Sequence, residues 1–357
     1  MILKSGTPQL KVARPAIVVA GQDDAALAQR LMSVMIAESI HGLARCETVI
    51  SNWGNPGTGS TGFLYFDRKR LDFGKSFAIK VAKETLFEGR IMGLEGQFPE
   101  GRPPQIAVLA EDRLQDLRMT RRTRSFENVS DADILNQIAG EHGLSANINV
   151  QGPGYKMLAQ VNQSDLAFVR ERARAIDAEV WVTARTLNAQ MRTTRAGRPL
   201  TLSYQQGLRE FTVLADLANQ RSAVRVNGWD VAGKAALSHE ATDSVLGAEL
   251  NGDASGASIL ESALGARKES IVHTVPLSDR EAQAEAEAIF KMAARQFLVG
   301  RGVAETDARL RVGNAVDLRG LGPIFSGKYY LTEVRHLFDN ARGLRTEFTA
   351  ERPGLGK

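Results

Sequence analysis

Short apolar runs with strand periodicity, each cut off by turn residues, recur along most of this 357-residue chain. Phe77, Ile79 and Val81 alternate with Ala78 and Lys80, the period of two that sends every second side chain to one buried face. Comparable runs lie at Ala16–Ala20, Leu31–Ile40, Leu86–Leu94 and Ile106–Ala110, with Gly89 read as a bulge. The turn-rich stretch Asn52–Gly62 (NWGNPGTGSTG) interrupts them. Residues 1–118 are therefore expected to build the first part of a small β-barrel. Strand patterns resume at Leu200–Tyr204, Glu210–Leu214 and Ser222–Val231. They appear again at Ala308–Val312, Ala315–Arg319, Lys328–Phe338 and Leu344–Ala350. A chain with 33 glycines and only 6% aromatic residues suits strands joined by tight turns better than a helical bundle.

Residues 119–190 break the pattern and read as an α+β insertion. Ser130 can cap a helix with Asp133 at its third position and Ile134, Leu135 and Ile138 on its apolar face; Gly143 ends it. A second helix follows Ser164, burying Leu166, Phe168, Val169, Ala173 and Ile176, and leads into a strand at Glu179–Thr183. Residues 191–231 are expected to return as strands to the first barrel, and 232–357 to form a second one. Within the latter, 232–270 is rich in Gly, Ala, Ser and Asp, has little periodicity, and reads as a long loop. A helix is expected over 279–298, with Ser278 and Glu281 as a capping box, Ala282, Ala286, Ile289, Phe290, Ala293 and Phe297 on one face, and Gly300 as its stop.

Several functional classes are disfavoured. The formal charge of +4, from 45 basic and 41 acidic residues, does not demand nucleic acid. The single Cys46 excludes an internal disulfide and a multi-cysteine zinc site. No signal peptide or transmembrane stretch is legible, so synthesis in the cytoplasm is expected, with no membrane insertion by the chain itself. His41, His142, His239, His273 and His336 lack metal-ligand spacing, and no metal or cofactor is expected. Glu111 and Asp112 are adjacent, so on a strand they point to opposite faces and would not flank one glycosidic bond. The glycines of Gly57–Gly62 lack the strand–loop–helix setting of a phosphate loop. The densest basic run comprises Arg118, Arg121, Arg122 and Arg124. Without interleaved aromatics it reads as a protein-contact patch rather than a nucleic-acid site.

Five blocks resemble the late control protein D family of contractile phage tails. LFEGRIMGLEGQFPEGRPPQIAVLAEDRLQDL (Leu86–Leu117) resembles its two apolar strands followed by D-x-L-x-x-L. RSFENVSDADILNQIAGEHGL (Arg124–Leu144) and QVNQSDLAFVRERARAIDAEVWV (Gln160–Val182) are similar to its two Ser-Asp helices. VRVNGWD (Val224–Asp230) and GKYYLTEVRHLFDNARGLRTEFTAER (Gly327–Arg352) complete the order.

The resemblance implies a baseplate hub: two tube-like β-barrel domains per chain, assembled as a homotrimer of pseudo-six-fold symmetry that adapts a six-fold tail tube to a three-fold spike. Partners implied are the tube protein, other baseplate proteins and the tape measure protein. Type VI secretion spike proteins of similar type continue into an oligonucleotide-binding-like domain and a β-helical needle. This sequence ends at Lys357, so a separate spike protein is expected, in a phage tail, a tailocin or an extracellular injection particle. Nucleic acid would meet the protein only in passage through the lumen. Phe77, Ile79, Val81, Tyr329, Tyr330 and Val334 mark candidate ring-forming strands, paired across subunits. No catalytic residue is expected; the alternative is a tail-tip protein that degrades peptidoglycan or binds the wall, since Phe126–Asn149 also resembles a LysM module.

Overall fold

Hydrophobic alternation sets the strands of the first of two units. The computed structural model describes residues 14–57, 59–231, 233–272 and 276–356. The first unit takes the described residues up to Ile36, Arg45–Ala110 and His336–Arg345. Its strands are β1 (Ala16–Val19), β2 (Leu31–Ser39), β3 (Arg45–Ser51), β4 (Ser76–Val81), β5 (Glu84–Gln97) and β6 (Gln105–Glu111), in the sheet order β1-β4-β5-β6-β3-β2. In β3, Cys46, Thr48 and Ile50 face inward while Arg45, Glu47 and Val49 do not. In β4, Phe77 and Ile79 are fully buried, opposite Val19 and Ile17 of β1. The expected bulge exists but not at Gly89, which pairs regularly with Phe77. Ile79 pairs with Phe87 and Lys80 with Thr85, so Leu86 is the extra residue.

The second unit takes Ala37–Ala44, Glu111–Arg335 and the residues from Thr346 onward. It opens with a module of β7 (Arg121–Ser130), α1 (Asp131–Glu141), β8 (Ser145–Asn149), β9 (Gly154–Ser164), α2 (Asp165–Ala175), β10 (Ala178–Thr183) and β11 (Thr186–Met191). Here β7 pairs with β9, and β11 lies between β8 and β10. Ser130 caps α1 in a full capping box with Asp133, and Ser164 caps α2 by accepting from the Ala167 N–H. Gly143 takes φ of +63° after α1, a conformation cheap for glycine. Phe126 and Phe168 stack at 5.6 Å inside the module's core, among Ile134, Leu135, Ile138 and Leu166.

Next come β12 (Leu200–Tyr204) and β13 (Gly207–Ala215). They do not return to the first unit, as the sequence reading expected. Leu200–Ser203 pair instead, in parallel, with Val316–Arg319. The segment expected as a long loop at 232–270 is also folded. It supplies β15 (Ala235–Ala241), α3 (Gly256–Leu264) and β16 (Lys268–Ile271), with β15 and β16 flanking β14 (Ala223–Asp230). All of β15 but Ala241 is exposed or half-exposed, so no apolar stripe shows in its sequence. Helix α4 (Asp279–Arg295) covers this sheet with Ala282, Ala286, Phe290 and Ala294. It ends before the expected 298. Leu298 starts β17 (Leu298–Ala304), and Gly300 is a strand residue rather than a helix stop.

The remaining strands are β18 (Ala315–Arg319), β19 (Gly327–Asp339) and β20 (Gly343–Arg352). The order β19-β18-β12-β13-β17-β20, closed by a β19–β20 pairing, makes a six-stranded barrel. Ala308–Val312 is not a strand; its Leu310 and Val312 are buried in the barrel core. That core, with Leu208, Leu298, Leu318, Tyr329 and Phe348, is side-chain filled, as expected of a barrel this narrow. The chain is mainly β with an α+β module.

Candidate functional site

The basic run lands on a module built twice from the same plan. Each half is a strand leading through a capping serine into an eleven-residue helix whose first residue is a buried aspartate, Asp131 or Asp165. The two aspartates are held reciprocally. Asp165, at the start of the second helix, accepts from Arg122 and Arg124 of the first half's strand, both at 3.0 Å. It also meets His142 Nε2 at 2.8 Å and the Gln160 amide at 2.9 Å. Asp131, at the start of the first helix, accepts from Arg172 of the second helix at 2.8 Å and from the Tyr155 hydroxyl at 3.1 Å. Burial alone would raise the Asp165 carboxyl, but the hydrogen bonds from Gln160 and His142, with the charges of Arg124 and Arg122, hold it below the usual range.

Most of the proposed contact patch is thus consumed internally. Arg118 pairs with Glu111 at 2.6 Å, Arg121 donates to the Asn162 carbonyl, and Arg124 also chelates Glu141 at 2.8 Å. A guanidinium already committed to a carboxylate has little to offer a phosphate. The Ser-Asp pairs were visible in the sequence; which arginine each aspartate takes was not.

The adjacent acids have separate structural tasks. Glu111 holds Arg118. Asp112 is buried and accepts the N–H groups of Ala44 and Leu114, each at 2.9 Å. Burial pushes its carboxyl up to about 6, against an ordinary 3.8, despite those two bonds. The folded state therefore holds this proton more tightly than the unfolded chain does. The resulting stabilisation is full below pH 3.8 and is lost as the pH rises through 6, a change of up to about 3 kcal/mol. Urea unfolding between pH 4 and 6.5 should show this decline in the native chain, and Asp112→Asn should flatten it; an unchanged slope would refute the assignment.

Among the described histidines, His142 contacts Asp165 and His336 is buried, while His273 lies outside the described residues. Cys46 is buried against Thr48, and burial pushes its thiol up to about 12. Among the described residues, no group of three or more His, Cys, Asp or Glu side chains is placed to hold a metal, and no helix is long and apolar enough to cross a membrane.

The candidate ring-forming strands lie inside their sheets. Phe77, Ile79 and Val81 sit on β4, with β1 on one side and β5 on the other; Tyr329, Tyr330 and Val334 sit on β19, between β18 and β20. Neither presents the unpaired edge that strand addition from a second chain requires. A proline at Ile79 or Tyr330 would strike a ladder within one chain, not a ring contact. Alternation identifies a buried strand face; it does not tell an edge strand from an interior one.

Tyr330 has a different task. Its hydroxyl donates to Glu179 at 2.5 Å, and Glu179 also receives Arg195 at 2.6 Å. Arg192 stacks 4.1 Å over the Tyr330 ring and pairs with Glu351 of the barrel. Arg295 of α4 pairs with Asp177 and with Glu249, the latter at 2.8 Å. Sequence reasoning missed this lattice because its partners lie far apart in the chain.

It also missed a surface in the first unit. Trp53 and Phe63 bracket the glycine-rich hairpin with ring centroids 5.5 Å apart; Phe66 lies 5.1 Å from Phe63, and Phe98 lies 5.6 Å from Phe66. Phe63 is 49% exposed and Phe98 66%. Four clustered, exposed rings are unusual on a solitary soluble protein and characteristic of contact surfaces. The signal was present, since two of the rings stand at the ends of a segment read only as turns.

A family model described as the Alg8 N-terminal domain matches residues 10–340. The chain belongs to the Alg8 N-terminal domain family. No curated protein matches its sequence. Among solved structures, this Alg8 N-terminal domain protein superposes on the 43 kDa tail protein of prophage MuSo2 from Shewanella oneidensis with a TM-score of 0.70. Identity there is 12%, over 95% of this chain and 98% of the other. A tail protein from Neisseria meningitidis MC58 gives 0.66 at 12% identity, covering 96% and 97%. The E. coli c3393 protein, a type VI secretion system component described as structurally similar to the T4 bacteriophage tail proteins gp27 and gp5, gives 0.55 at 14%, covering 90% and 73%. At these identities the likeness is one of fold. This member of the Alg8 N-terminal domain family has the fold of phage tail proteins.

Proposed function

We propose that the chain is a structural, non-enzymatic component of a phage tail or related injection particle, and within it a hub of the late control protein D type. In this reading three copies form the baseplate ring, adapting a six-fold tube to a three-fold spike. Tube, other baseplate and tape measure proteins are the remaining neighbours. The observation that carries the reading is the fold match over 95% of this chain and 98% of a tail protein. Two further features support it. Glu111, Asp112 and the arginines of the basic run are engaged in internal bonds that hold the fold. The four exposed aromatic rings suit burial against a partner.

Copy counting tests the reading. Quantitative mass spectrometry of purified particles should find three copies per particle. Absence from particles, or a copy number matching the tube protein, would contradict it. Clearing of peptidoglycan by the purified chain would favour the wall-degrading alternative.

A further inference from the structure

The pair Asn-Gly occurs twice in this chain, at Asn227–Gly228 and Asn251–Gly252, and the fold treats the two oppositely. An asparagine side-chain amide can close a five-membered imide with the backbone nitrogen of the next residue. Glycine in that next position has no Cβ to shield the nitrogen. Whether the two groups meet depends on what else holds them.

At Asn227–Gly228 both groups are held. The pair lies in β14, between β15 and β16, with Asn227 opposite Ser238 and Gly228 opposite Leu237. Asn227 Nδ2 donates to Ser270 Oγ at 2.9 Å, and its Oδ1 accepts from the Ser238 hydroxyl at 3.0 Å. Pro276 closes over Gly228: its Cγ and its carbonyl oxygen are each 2.6 Å from where a Cβ would stand. Pairing of this kind fixes the backbone extended and the side chain in place.

At Asn251–Gly252 neither group is held. Both residues are exposed, in a turn closed by the Asp253 N–H on the Leu250 carbonyl at 2.9 Å. Both take positive φ, +50° and +88°, the left-handed turn geometry that Asn-Gly favours. Among the described residues, neither the Asn251 side-chain amide nor the Gly252 N–H has a hydrogen-bond partner. Nothing lies within 4 Å of the place a Cβ on Gly252 would take. The side chain can therefore turn onto the nitrogen once the turn opens, as exposed loop tips do at little cost.

We infer that Asn251 is a site of spontaneous deamidation, whereas the sheet keeps Asn227 intact. The Gly252 nitrogen gives up its proton and attacks Asn251 Cγ. A C–N bond forms, the bond from Cγ to Nδ2 breaks, and ammonia leaves a succinimide behind. Water then opens the ring at either carbonyl, giving aspartate or isoaspartate; no oxidant or reductant takes part. The product puts a carboxylate two residues from Asp253, which Arg352 holds at 3.0 Å. As isoaspartate it also lengthens the main chain of the turn by one carbon. This does not depend on the hub reading.

The test incubates the 357-residue chain at pH 8 and 37 °C, native and in urea. Samples taken over several days are digested in mild acid, where the imide forms slowly, and mapped by mass spectrometry. In the native chain Asn251 should convert at least tenfold faster than Asn227, with isoaspartate the more abundant product. In urea the two rates should converge, because only the fold separates them. Three results would overturn the inference: Asn227 converting as fast as Asn251 in the native chain, Asn251 converting only in urea, or a tenfold difference that persists in urea. The last would assign the contrast to the neighbouring residues rather than to the fold.

Discussion

Gly300→Val and Gly302→Val should each destabilise the second unit by about 4 kcal/mol, at the upper end of what overpacking a filled core costs. Both glycines sit on β17 beneath aromatic rings of the barrel interior. A Cβ at Gly300 would stand 2.2 Å from Phe211 Cζ, and one at Gly302 would stand 2.4 Å from Phe348 Cζ. Phe211, Phe348 and Tyr329 pack on one another, with centroids of 5.6 and 6.2 Å from Phe211. Phe348 and Tyr329 are buried and Phe211 is partly buried against them, so the rings have little room to turn away. Urea unfolding would read the loss. Combining Gly302→Val with Phe348→Leu should recover a large part of it, whereas the same change elsewhere in the core should only add to it. A loss below about 1 kcal/mol would mean that the ring is not fixed over the glycine.

Asp165→Ala is the second large effect, with an expected loss of about 3–5 kcal/mol. The carboxylate is almost wholly buried and is the shared acceptor of Arg122, Arg124, His142 and Gln160. Removing it leaves two guanidinium groups facing each other with one acid, Glu141, still on Arg124. Asp165→Asn should cost less, because the amide oxygen keeps one of those bonds. Thermal unfolding of both variants checks the order. If Asp165→Ala melts with the native chain, the arginines are held by solvent and the patch is free for partners after all.

These effects show where the sequence was informative and where it was silent. Local rules sufficed for the module: a serine before each helix, apolar residues at helical spacing and Gly143 in the left-handed region were legible without coordinates. The strand face of Phe77 and Ile79 was legible for the same reason, since alternation is a local property. Its position between two neighbours was not, because pairing order is decided by segments far away in the chain. Gly300 looked like a helix stop for lack of any sign that a phenylalanine from β13 would lie over it. Folded structure over 235–271 was hidden by its composition: alanine and serine bury little and leave no apolar stripe. The same limit applied to charge. Arg122 and Arg124 read as a surface patch until Asp165, some forty residues on, was brought beneath them.

A three-copy ring is tested most directly by the native mass of the purified 357-residue chain, measured by light scattering over a concentration series. The account predicts a discrete species of three 38.8 kDa chains, alone or as two stacked rings. A strict monomer at every concentration, or a closed dimer, would contradict it.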